Sequence, residues 1–116
     1  MDLAELTAQA MALRNRFAAA NQVRGVQPWT REDVMQGFVV DVGDLMRLVM
    51  AHNGRRAVDD ASRKLAHELA DCLWSVLVLA RLYEVDLEAE FGRMVTEAST
   101  KLAGNTSASR SSDATP

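Results

Sequence analysis

Two stretches of this 116-residue chain repeat apolar residues on a helical period over more of the helix surface than one neighbour can cover. In the first, Val34, Met35, Phe38, Val39, Val42, Leu45, Met46, Val49 and Met50 spread over about 200° of the circumference at ~100° per residue. The second repeats the pattern with Leu65, Leu69, Leu73, Trp74, Val76, Leu77, Val78 and Leu79. A helix with one buried face needs an apolar arc of only about 100°. The excess would lie in water unless another chain covered it. The pattern therefore predicts an all-α, four-helix bundle completed by oligomerisation, as a homodimer or homotetramer.

Caps and breakers set the limits of four helices. Asp2 with Glu5 three residues later makes a capping-box pattern, and Leu3, Leu6, Ala10, Leu13 and Phe17 carry the apolar stripe of a helix to about Ala20. Thr30, with Asp33 at the third helical position, caps a second helix that Asn53-Gly54 stops. Asp59 is the expected cap of a third helix through about Tyr83, and Asp86 that of a fourth, fading near Leu102. This predicts a helical domain over residues 1–102 and a disordered Ser/Thr/Ala-rich tail over 103–116. Short connections favour antiparallel neighbours.

Composition supports this class and excludes others. Only six Gly and two Pro, beside 48% apolar residues, suit helices rather than a sandwich or barrel. A net charge of −3 provides no basic footprint for nucleic acid. The single cysteine, Cys72, has no intramolecular partner and suits a reducing compartment. The first helix carries acids early, unlike a secretory leader, and no apolar run approaches the ~20 residues of a membrane span. The expected setting is cytoplasmic, with no membrane partner.

Inside the two apolar helices lie carboxylates. Asp41 and Asp44 share one face of the second helix, and Glu68 and Asp71 share one face of the third, each pair about 4.5 Å apart along the axis. Asp41 falls between Leu48 and Val34 on the helical wheel, within the apolar arc, and Glu68 falls beside Ser75 and Leu79. Lys64 before Glu68 and Arg47 after Asp44 offer local ion pairs, which would make the acids a solvated rim. Such pairs do not explain why both core-facing positions are acidic. An unpaired buried carboxylate costs several kcal/mol, so this arrangement calls for a cation or a retained proton. Four hard oxygen ligands with charge near −4 suit Mg²⁺, with Mn²⁺ as the substitute.

Other chemistries lack their residues. His52 and His67 belong to no Glu-x-x-His pair, one cysteine makes no zinc knuckle, and no phosphate-cradling Gly-rich loop is present. Gly43, isolated within a helix, is expected to permit close helix approach. Trp74 lies away from Glu68 on the wheel and reads as core or interface.

The stretch Val40-Asp41-Val42-Gly43-Asp44-Leu45, followed by His67-Glu68-Leu69-Ala70-Asp71-Cys72-Leu73, resembles the MazG-like all-α nucleotide pyrophosphohydrolases, a superfamily that includes dCTP pyrophosphatases and dimeric dUTPases. Their signature is Glu-Glu-x-x-Glu on one helix and Glu-x-x-Asp on the next. The resemblance runs from Trp29 to about Arg93, through Leu79-Ala80 and Val85-Asp86-Leu87. Val40 stands where many members have the first glutamate, and Asp41 and Asp44 replace glutamates, each shorter by one methylene.

The resemblance implies Mg²⁺-dependent hydrolysis of a nucleoside triphosphate between the α and β phosphates, releasing a monophosphate and pyrophosphate. It implies metal ligation by Asp41, Asp44, Glu68 and Asp71, with Asp41 and Glu68 as the catalytic pair and Asp41 the preferred acceptor of the water's proton. Lys64, Arg47 and Arg93 are the expected cations on the phosphate oxygens, and Arg55 and Arg56 offer two more. Trp29 either stacks on the base or packs on Val34 as a hydrophobic staple. The Asp-for-Glu replacements, with Arg93 and Glu97 only loosely matching the fourth-helix pattern, also admit a catalytically silent oligomerisation or regulatory module of the same fold.

Overall fold

The computed structural model describes residues 1–54 and 59–108. They form four α-helices and no strand: α1 (Leu3–Val23), α2 (Arg31–His52), α3 (Ala61–Leu82) and α4 (Leu87–Ala108). Helices α1 to α3 belong to one compact unit, Met1–Glu84, and α4 to a second beginning at Val85. No helix among the described residues is long and apolar enough to cross a membrane.

The predicted caps are largely realised. Asp2 accepts from the Glu5 amide at 2.8 Å and Glu5 accepts from the Asp2 amide at 3.1 Å, closing the first capping box. Thr30 Oγ1 accepts from the Asp33 amide at 3.1 Å and Asp33 accepts from the Thr30 amide at 2.9 Å, closing the second. Asp86 caps α4 by accepting from the Ala89 amide at 3.1 Å.

Three boundaries differ from expectation. Helix α1 runs on to Val23 before Gly25, at φ +74°, turns the chain. The cap position of α3 falls on Asp60, not Asp59, and Asp60 adopts the left-handed conformation (φ 55°, ψ 43°) with no side-chain cap bond. An N-cap side chain reaches the first-turn amides from extended backbone, and a left-handed residue does not present it that way. Helix α4 continues to Ala108, through residues 103–108 that read as tail. Once a helix is nucleated each further residue adds a hydrogen bond at little cost, so it can outrun its last apolar anchor. Residues 109–116 of the expected tail lie outside the described residues.

Within Met1–Glu84, α3 packs against both α1 and α2. Arg31, at the start of α2, donates to the Leu82 carbonyl at 3.5 Å and lies 4.8 Å from the centre of the Tyr83 ring, so α2 begins where α3 ends. The two helices are therefore antiparallel. On the other side, Trp74 Nε1 donates to the Ala10 carbonyl at 3.1 Å, and its ring meets Phe17 edge-to-face at 6.0 Å. Among the described residues the buried apolar core consists of Ala10, Val34, Leu48, Leu77 and Val78.

The unused apolar surface is ordered. Met35, Val39, Val42, Met46 and Val49, between 38% and 59% exposed, recur at alternating steps of four and three along α2. That is the seam spacing of a helix packed lengthwise on another. Leu69 and Leu73 of α3 are likewise exposed.

The cap assignment has a direct check. Thr30→Ala removes a side chain that makes its cap bond and should cost about 1 kcal/mol, whereas Asp59→Ala should change stability by under about 0.5 kcal/mol. Urea unfolding of both variants measures the contrast. Equal losses would contradict the observed start of α3.

Candidate functional site

The antiparallel pairing of α2 and α3 brings Asp41, Asp44 and Glu68 together. Each is half-buried, and one carboxylate oxygen from each lies within 4.8 Å of the others. Glu68 Oε1 is shielded from solvent and has no hydrogen-bond partner among the described residues. Burial pushes the Glu68 carboxyl above its ordinary pKa, the hydrogen bond it shares with Asp41 raises it further, and the charges of Asp41, Asp71 and Asp44 add to the shift. Cys72, next on α3, is also raised, first by burial and then by Asp41, Glu68 and Asp71.

This trio fits a hard divalent cation. Oxygens bound to one ion at about 2.1–2.5 Å lie at most about 4–5 Å apart, matching the spread of the cluster. The shielded oxygen without a partner is what a cation would satisfy, and its charge would offset the repulsion that raises the Glu68 carboxyl. Asp71 stands outside the trio. Its carboxylate lies 3.3 Å from His67 Nε2, one turn back on α3.

The cations read from the sequence are placed as follows. Arg47 lies 3.7 Å from Asp44, with the two side chains each a little under half exposed, so the local ion pair is present there. Lys64 is exposed and makes no ion pair with Glu68 among the described residues, so the local-pair account fails for the most perturbed acid of the cluster. Arg93 pairs with Glu90 at 2.7 Å on α4. Arg55 and Arg56 lie outside the described residues.

Beside the carboxylates opens a cavity of about 820 Å³ between α1, α2, α3 and the segment before α2. Its apolar walls are Leu13, Phe17, Trp29, Val34 and Trp74, and Asp41 and Asp71 reach its edge. Asp41 thus belongs both to the carboxylate trio and to the cavity wall. Trp29 is half-exposed, with its six-membered ring against Gly37 on α2. Arg14 Nη2 donates to the Trp29 carbonyl at 2.9 Å and ties that segment to α1.

Sequence reasoning missed four residues of this cavity. Phe17 was legible only as stripe, Trp74 only as core or interface, and Arg14 and Gly37 carried no signal. Gly43 is corrected: a side chain there would meet nothing within 4 Å among the described residues. Close approach occurs at Gly37 instead, because the chain folds Trp29 back onto α2 at that turn.

A family model, the MazG nucleotide pyrophosphohydrolase domain, matches residues 29–106, two thirds of the chain. The chain belongs to the MazG family. No curated protein and no solved structure matches it. The matched MazG domain begins at Trp29 and contains the whole carboxylate trio, whereas Leu13, Arg14 and Phe17 of the cavity precede it.

The raised Glu68 carboxyl makes a signed prediction. Folded protein holds this proton to higher pH than unfolded chain does, so in that window folded protein binds more protons and stability falls as pH rises. In chelator, Glu68→Gln should therefore melt about a few degrees above the parent protein at neutral pH. The gain should shrink as pH falls to the ordinary carboxylate range, where the parent's Glu68 is protonated too. Melting curves across pH test this, and identical curves at neutral pH would remove the repulsion from the account.

Proposed function

We propose that this MazG domain is a Mg²⁺-dependent nucleoside triphosphate pyrophosphohydrolase, with Mn²⁺ as an alternative ion, acting as a cytoplasmic homo-oligomer. The observation that carries the reading is the sharing of Asp41 between an aromatic cavity and a carboxylate cluster. A nucleoside is largely apolar and flat, and a triphosphate is a string of hard oxygens. The cavity suits the first and the cluster, once charged with a cation, suits the second.

Asp41, Asp44 and Glu68 would hold the divalent ion, with Asp71 joining when it leaves His67. That ion supplies charge neutralisation on the triphosphate and a polarised water. The residues of the chain do the rest. Trp29, Phe17 and Trp74 position the base and exclude water from it. Arg47 and Lys64 stand on the same two helices as the carboxylates and can meet phosphate oxygens. Water attacks the α-phosphorus in line. Its oxygen forms the new P–O bond, the α–β bridging bond breaks, pyrophosphate leaves, and Asp41 accepts the water's proton.

The reaction is tested by incubating the purified protein with each common NTP and dNTP in Mg²⁺ or Mn²⁺, measuring pyrophosphate separately from orthophosphate. Pyrophosphate release that falls at least about a hundredfold in Glu68→Gln is the expected outcome, the usual scale for losing a group that acts in the reacting centre. Folded protein that binds nucleotide and metal without turnover would favour the silent module.

The seam on α2 supports the oligomer. Met35, Val39, Val42, Met46 and Val49 would pack against a second copy and bury the apolar excess. Because these side chains are exposed within the chain, Val39→Glu with Met46→Glu should leave the helices folded but lower the solution mass. Light scattering reads that mass directly. An unchanged assembly would place the interface elsewhere.

A further inference from the structure

Gly37 is the glycine of this chain whose missing side chain has an occupant. A Cβ built there would lie 2.8 Å from Trp29 Cζ3 and 3.1 Å from Cη2, closer than carbon atoms approach without displacement. At Gly25, Gly43, Gly54, Gly92 and Gly104 the same test meets nothing within 4 Å among the described residues. Glycine is a poor residue for a helix interior, and φ at position 37 lies outside the left-handed range, unlike φ at Gly25 (+74°) and Gly54 (+81°), where the backbone favours a glycine. What distinguishes position 37 is the indole seated on it.

That indole is a wall of the cavity, and so is Gly37 itself. Its backbone is held at the other end, where Arg14 donates to the Trp29 carbonyl. Asp41 stands four residues on from Gly37, one helical turn along the same face of α2. The seat of the aromatic wall and the carboxylate at the cavity edge are therefore fixed to one rigid element. Their separation is set by the pitch of the helix and not by a loop.

We propose that Gly37 is a specificity-determining residue: by accepting the Trp29 ring against bare backbone, it sets the position of the aromatic wall that meets the base of the nucleotide. The inference rests on the nucleotide reading of the cavity. Arg14 is its companion positioning residue, acting through the Trp29 carbonyl. A methyl group at position 37 must move the indole by roughly 0.7–1.2 Å to restore ordinary carbon–carbon contact. That displacement changes the fit of the base and leaves the carboxylates where they are.

The test is binding of α,β-methylene nucleoside triphosphates, which separates affinity from turnover, by titration calorimetry in Mg²⁺. Gly37→Ala favours the helix and should fold, which far-UV circular dichroism checks. It should weaken the preferred nucleotide roughly tenfold, the scale of one lost aromatic contact, and reduce discrimination among bases. With Trp29→Ala already in place, adding Gly37→Ala should change affinity by less than about twofold, because the clash is gone. In turnover the loss should appear in KM and not in kcat. Equal affinity of the Gly37→Ala and parent proteins, or the same loss in both Trp29 backgrounds, would overturn the assignment. Absence of nucleotide binding by the parent protein would instead overturn the nucleotide reading, and this inference with it.

Discussion

The packing of α2 on α3 is the contact on which the rest depends, because it forces like charges together. Asp41 and Asp44 from one helix meet Glu68 from the other within 4.8 Å, and among the described residues no lysine or arginine pairs with Glu68. Apolar burial of Val34, Leu48, Leu77 and Val78 holds the helices against that repulsion. Glu68 responds by keeping its proton to higher pH than usual. A cluster arranged this way costs the fold stability, since apolar residues would pack there more favourably.

Helix α2 does three jobs along two faces. Val34 and Leu48 are buried with α3, Gly37 and Asp41 line the cavity, and the Met35-to-Val49 seam is exposed. A 22-residue helix has room for this because its apolar arc is twice what one neighbour needs. The cavity gathers its aromatic walls from elsewhere: Phe17 from α1, Trp74 from α3 and Trp29 from the segment before α2. The MazG match covers the last two of these and omits the first.

Much of the fold was legible because its signals are local. A capping box needs only residues three apart, and Asp2 with Glu5 and Thr30 with Asp33 close as read. Asp59 misled because an acidic residue before a helix looks the same whatever its backbone conformation, and Asp60 turned out to be left-handed. Gly43 misled because helical spacing does not say which neighbour, if any, lies over a bare backbone. Lys64 and Glu68 stand at the spacing of an ion pair, yet Lys64 stays in solvent, since an exposed pair gains too little to order two long side chains.

What the sequence by itself determined was periodic: four helices, the excess apolar arc of α2 and α3, and two acidic pairs each on one helix face. These follow from the 3.6-residue turn and need no knowledge of what packs against what. Only the tertiary structure decided which acids meet, since Glu68 of α3 joins Asp41 and Asp44 of α2 while Asp71 stays outside the trio. It also decided that Trp29 lies on Gly37 and that Arg14 holds its carbonyl 15 positions away in the chain. Contacts of that kind depend on the rotation of each helix about its axis and on the path of a connecting segment. Both are set by the sum of many packing contacts, and neither has a period that a sequence can display.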